Sequence, residues 1–156
     1  MGDSADGTDP LYLDDLEVGR TFRSGTFTVD PGGLKAFAAE FDPQPFHLDE
    51  RAARSSLFGG LVASGWHTAA ITMRLLVDGE ARIAGGLVGA GVDELRWPRP
   101  VRPGDVLRVE SEVLEVRPSR SRPDRGIVRL RSTTLNQDDQ PVMIQVASLV
   151  VPRRPA

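Results

Sequence analysis

The chain has no cysteine. That excludes a disulfide framework, a thiolate nucleophile and a cysteine-ligated zinc site. Its only histidines are His47 and His67, too few for a multi-histidine metal centre, so no such metal site is expected. No apolar run approaches the roughly 20 residues that cross a bilayer. Met1 to Pro10 is acidic and small and lacks the basic-then-apolar order of a secretory leader. The expectation is a soluble, cytoplasmic protein with no membrane partner. A formal charge of −3 gives no electrostatic case for nucleic acid as a partner. The single lysine, Lys35, stands against eighteen arginines, a ratio we ascribe to genomic composition and not to function.

What is present fits one domain, since 156 residues can bury a core without metal or disulfide staples. Residues 1–9 lack apolar side chains and are expected to form a disordered tail, leaving 10–156 as a single domain. Leu16 to Val29 reads as a first strand or strand pair. Asp30-Pro31 then signals a helix start, with Asp30 as cap and Pro31 in the first turn. That helix covers Leu34–Glu40, and the prolines of Asp42–Pro45 are expected to hold the next stretch extended. Asp49 caps a short helix to Ser55. The longest helical signal begins near Ser64, where Val62, Trp66, Ala69, Ala70, Met73, Leu76 and Val77 make one apolar stripe, and Asp78-Gly79 ends it. Leu87–Trp97, Val106–Val116, Ile127–Leu135 and Val142–Val151 read as strands divided by turns, the last covered on both faces. The order is α+β, with one long helix against an antiparallel sheet.

Two segments carry candidate chemistry. In Asp42-Pro43-Gln44-Pro45-Phe46-His47 a carboxylate and an imidazole sit at the ends of a proline-stiffened stretch. Together they are able to hold one water and move its protons; alone, the same pattern also describes two solvated turn residues. In Gly59-Gly60-Leu61-Val62-Ala63-Ser64-Gly65-Trp66, Ser64 caps the long helix and Gly65 falls in its first turn. First-turn N–H groups lack intrahelical partners and lie at the positive end of the helix dipole. Glycine there admits a substrate carbonyl, or equally serves tight helix–sheet packing.

The run Phe41-Asp42-Pro43-Gln44-Pro45-Phe46-His47-Leu48-Asp49, with Ala53, Phe58-Gly59 and Leu61-Val62-Ala63-Ser64-Gly65, resembles the motif of the MaoC-like dehydratases, or (R)-specific enoyl-CoA hydratases. Asp42, Pro45, His47, Asp49 and Gly65 match its spaced positions, and Asp93 to Val101 with Pro103-Gly104-Asp105 resembles its later strand and turn. The chain departs from the pattern at Phe41, where many members carry glycine, and at Ser64, where many carry histidine; both bear on the pocket and its substrate.

The resemblance implies a hot-dog fold, a sheet wrapped around one long helix, paired as a homodimer or a higher even-numbered oligomer. It implies a hydro-lyase of fatty acid metabolism that interconverts 2-enoyl-CoA and 3-hydroxyacyl-CoA, with coenzyme A as part of the substrate and no separate cofactor. Asp42 and His47 would activate the water, and the Gly65 N–H would stabilise the enolate. Ser64, Trp66 and His67 are candidates for contact with the substrate, with core packing the alternative for Trp66 and His67. Arg120 and Arg122, in the basic loop Arg117–Arg125, are candidates for gripping coenzyme A phosphates, with a solvated hairpin turn the alternative. A hot-dog thioesterase would place a carboxylate on the long helix, and Val62 to Val77 contains none. A non-catalytic acyl-thioester-binding or partner subunit is able to dispense with the Asp42–His47 pair.

Overall fold

The computed structural model describes residues 9–156, so the expected tail lies, apart from Asp9, outside the described residues. A 3-10 turn, Leu13–Asp15, precedes β1 (Thr21–Thr28), so the first strand starts later than Leu16. Four helices follow: α1 (Pro31–Phe41), α2 (Pro45–Leu48), α3 (Glu50–Arg54) and α4 (Gly65–Asp78). The chain then runs through β2 (Val88–Arg96), β3 (Val106–Pro118), β4 (Arg125–Leu135) and β5 (Pro141–Pro152). The five strands form one antiparallel sheet in the order β1-β3-β4-β5-β2, and α4 lies against its β1–β3 side. This is the α+β hot-dog arrangement. As expected, no residue of β5 is exposed, since β4 and β2 flank it and its faces are covered.

Side-chain caps set the helix starts. Asp30 Oδ2 accepts the Gly33 N–H at 2.9 Å with Pro31 in the first turn, and Asp49 Oδ1 accepts Arg51 and Ala52 N–H. Ser64 Oγ accepts the Trp66 N–H at 3.2 Å and opens α4.

Two expectations need correction. The stretch ahead of His47 is extended only as far as Gln44; Pro45 then starts α2, because proline's fixed φ and missing N–H suit a first helical turn. The apolar stripe on α4 coincides with its buried face only at Leu76. Trp66, Met73 and Val77 are exposed, whereas Thr68, Ile71, Thr72, Leu75 and Leu76 face the sheet. The two buried threonines fit there because their hydroxyls have partners: Thr72 Oγ1 donates to Thr68 O and lies 2.6 Å from Thr134 Oγ1. Above this contact a core including Leu34, Ala63, Leu75, Val101 and Leu107 seats the start of α4; Leu13, Phe22, Val113 and Val128 belong to a second cluster toward the far end of the sheet.

Candidate active site

Asp42 stands just beyond α1, its N–H still bonded to Ala38 O at 2.9 Å, while its side chain has left the helix. Pro45 starts a new helical turn three residues on, which brings the buried His47 ring back toward the carboxylate. Asp42 Oδ2 and His47 Nε2 are 3.2 Å apart.

The segment leading into α4 fixes both groups. Val62 is bonded to α2 twice: its N–H donates to Phe46 O at 3.2 Å and its carbonyl lies 2.7 Å from His47 Nδ1. A carbonyl only accepts, so Nδ1 carries a proton and Nε2 is the nitrogen that gains or gives one. In the neutral ring Nε2 presents a lone pair; in the charged ring it donates to Asp42 Oδ2. Two residues further, Ser64 Oγ–H donates to Asp42 Oδ2 at 2.7 Å, and Gln44 Nε2 donates to Oδ1 at 2.6 Å. The Ser64 hydroxyl first, then Gln44, hold the Asp42 carboxyl below its usual range, with the His47 charge adding to them and burial opposing. Asp42 is therefore ionised at neutral pH.

Gly65 is the first residue of α4, and its N–H makes no hydrogen bond among the described residues. Its missing Cβ has a structural cause. A Cβ there would lie 2.7 Å from Trp97 Cε2, and Trp97 Nε1 donates to Gly65 O at 3.0 Å. Of the two readings open from sequence, close approach by a substrate or tight packing, the indole of Trp97 decides for packing. The free N–H is a separate property, set by its place at the helix start.

Asp42, His47, Gly65 and Trp66 line one open cleft of about 460 Å³, with Phe46, Phe58, Trp97 and Arg99 among its other walls. Trp66 is exposed there and meets Trp97 edge to face at 5.3 Å. Ser64 is fully buried and reaches the site through Asp42.

The remaining candidates lie elsewhere. His67 is not on the cleft wall: its ring stacks on Phe37 at 4.7 Å, and burial pushes its pKa down. Its Nδ1 is buried without a partner among the described residues. Arg120 and Arg122 belong to the hairpin between β3 and β4, closed by Ser119 N–H to Arg125 O at 3.0 Å. The 13-residue β3 separates that hairpin from the cleft end of the sheet, roughly 40 Å of strand. Within one chain these arginines are turn residues and do not reach the site.

Gln44, Trp97 and Arg99 on the site, and the role of the Val62 carbonyl, are not among the candidates the sequence singles out. Gln44 sits two residues from Asp42 and offered a local signal. A backbone acceptor leaves no trace in residue type.

Comparison with known proteins finds relatives in sequence and in fold. A family model described as a MaoC like domain matches residues 15–136. The crystal structure of a MaoC-like dehydratase from Rhodospirillum rubrum is 60% identical, with a TM-score of 0.91 over 94% of this chain and 99% of that one. A 3-hydroxybutyryl-CoA dehydratase from Methylorubrum extorquens is 32% identical over 146 residues, 92% of this chain and 86% of that protein. The unliganded R-hydratase PhaJ1 from Pseudomonas aeruginosa is 30% identical, with a TM-score of 0.73 over 93% of this chain and 88% of that one.

Proposed function

The chain belongs to the MaoC-like domain family, and from that premise we propose that it is a hydro-lyase interconverting 2-enoyl-CoA and 3-hydroxyacyl-CoA. The observation that carries this reading is the 3.2 Å approach of Asp42 Oδ2 to His47 Nε2, on the wall of the cleft that Gly65 also lines.

In hydration, one water lies within reach of both Asp42 and His47. Its oxygen bonds to C3 of the enoyl group while the pair takes one of its protons. The π electrons move through C2 to the thioester oxygen, and the Gly65 N–H at the positive end of α4 stabilises that enolate. The pair then returns a proton to C2. The two groups act as one acid–base unit, so no net proton is gained or lost. Dehydration is the reverse.

A thioesterase reading lacks its nucleophile-activating carboxylate, since the one acid on α4, Asp78, closes the helix and pairs with Arg74 at 2.6 Å. We further propose a homodimer or an even multiple of it. The edge strand β2 leaves Val88 and Val92 exposed, and an apolar hollow of about 410 Å³ runs between β2, β5 and Met73 of α4.

The test is crotonyl-CoA hydration followed by loss of enoyl absorbance. Asp42→Asn and His47→Ala are each expected to cost about 10²–10⁴-fold in kcat. Turnover that survives both substitutions would remove the pair from the mechanism.

A further inference from the structure

Three arginines are spaced by three along the segment that closes one side of the cleft: Arg96, Arg99 and Arg102. Two have partners. Arg96 Nε lies 2.7 Å from Glu94 Oε1, and Arg102 Nη2 donates to Phe58 O at 2.8 Å. Arg99 has no hydrogen bond or ion pair among the described residues, is exposed, and lines the cleft.

The backbone that carries Arg99 is nevertheless held firmly. Pro98 and Pro100 restrict the chain on both sides of it. Two residues before, Trp97 Nε1 is bonded to Gly65 O; two residues after, Val101 O accepts the Ala63 N–H at 2.8 Å. The strap is thus fastened at both ends to residues 63–65, the turn that presents the Gly65 N–H. The strap fixes where the Arg99 side chain starts, so binding there orders the side chain and not the backbone, and its planar fork suits a phosphate oxygen pair.

The direction of the cleft indicates which part of a ligand it meets. Asp42 and the Asp42-facing edge of His47 are largely covered, with side chains 18% and 6% exposed. Arg99 is on the open rim. A thioester seated at Gly65 with its acyl end at the covered pair sends its carrier end outward past the rim.

We propose that Arg99 binds a phosphate of the thioester's carrier, the task that the distant Arg120 and Arg122 do not perform within one chain. This inference rests on the acyl-thioester reading of the cleft. The phosphate belongs either to the diphosphate that joins the pantetheine arm to the nucleotide or to the 3′-phosphate of the nucleotide.

The test compares wild type with Arg99→Gln and Arg99→Lys on crotonyl-CoA, crotonyl-dephospho-CoA and crotonyl-pantetheine, the last free of phosphate. Arg99→Gln is expected to lower kcat/KM for crotonyl-CoA about tenfold, through KM, and to leave crotonyl-pantetheine unchanged. Arg99→Lys is expected to keep part of the difference, since it retains charge without the fork. A defect that persists with the dephospho substrate assigns the diphosphate; one that disappears assigns the 3′-phosphate. Equal defects on crotonyl-CoA and crotonyl-pantetheine, or none on either, overturn the proposal. Calorimetric titration with free coenzyme A separates the two levels of inference. Failure to bind wild type overturns the thioester reading and this proposal with it. Equal binding to wild type and Arg99→Gln overturns the proposal alone.

Discussion

Ser64 serves two neighbours through one hydroxyl, accepting from the Trp66 N–H and donating to Asp42 Oδ2. The same atom therefore starts the long helix and lowers the Asp42 pKa. Replacement by alanine removes both effects. Loss of the cap is expected to cost about 1 kcal/mol of stability, read as a lower Tm. Loss of the donated hydrogen bond removes the largest cause that lowers the Asp42 pKa, so that pKa rises. The sign for stability follows: a carboxyl depressed in the folded state stabilises above its unfolded pKa and ceases to do so as pH falls through the folded value. In Ser64→Ala that contribution is smaller, and its loss is complete at a higher pH. The acidic limb of kcat/KM is expected to move upward in parallel; an unmoved limb with a lowered Tm would reduce Ser64 to a helix cap. Asp42 and His47 were legible in the sequence because proline spacing and the family pattern mark them. The Val62 carbonyl that fixes the His47 proton was not, because any residue type supplies a carbonyl.

The elements show where periodicity informs and where it misleads. The extent of α4 was legible from Ser64 and Asp78-Gly79, yet the stripe of Trp66, Met73 and Val77 faces outward. A helix with apolar residues on two sides does not declare which side meets its own sheet, and Thr68 and Thr72 concealed the buried one. The strands of the second half were legible to within about two residues at each end, since hydrophobic runs between turn residues set them. The short turn α2 was not, because proline breaks one helix and begins another by the same restriction of φ. The outward apolar side of α4 and the exposed β2 edge have a common consequence. Sedimentation is expected to give twice the 16.9 kDa chain mass, or an even multiple of it. Val92→Arg, which places a charge in the middle of β2, is expected to give the single-chain mass. A wild-type protein that sediments as a monomer at micromolar concentration would contradict the assembly.

The molecule as a whole gathers its chemistry at one end of one sheet. The start of α4, the α1–α2 corner and the strap through Trp97 and Val101 meet there, tied by hydrogen bonds to residues 62–65. Asp42 and His47, 3.2 Å apart, form a single station on one wall of the cleft. In the proposed hydration the proton taken from water and the proton given to C2 both pass through that station, which would bring hydroxyl and proton to the same face of the double bond. The stereochemistry of crotonyl-CoA hydration in D2O measures this directly. One deuterium is expected at C2, on the face that receives the C3 hydroxyl, with its formation slowed about 10²–10⁴-fold by Asp42→Asn. Deuterium delivered to the opposite face would require a proton donor across the cleft and would contradict the account.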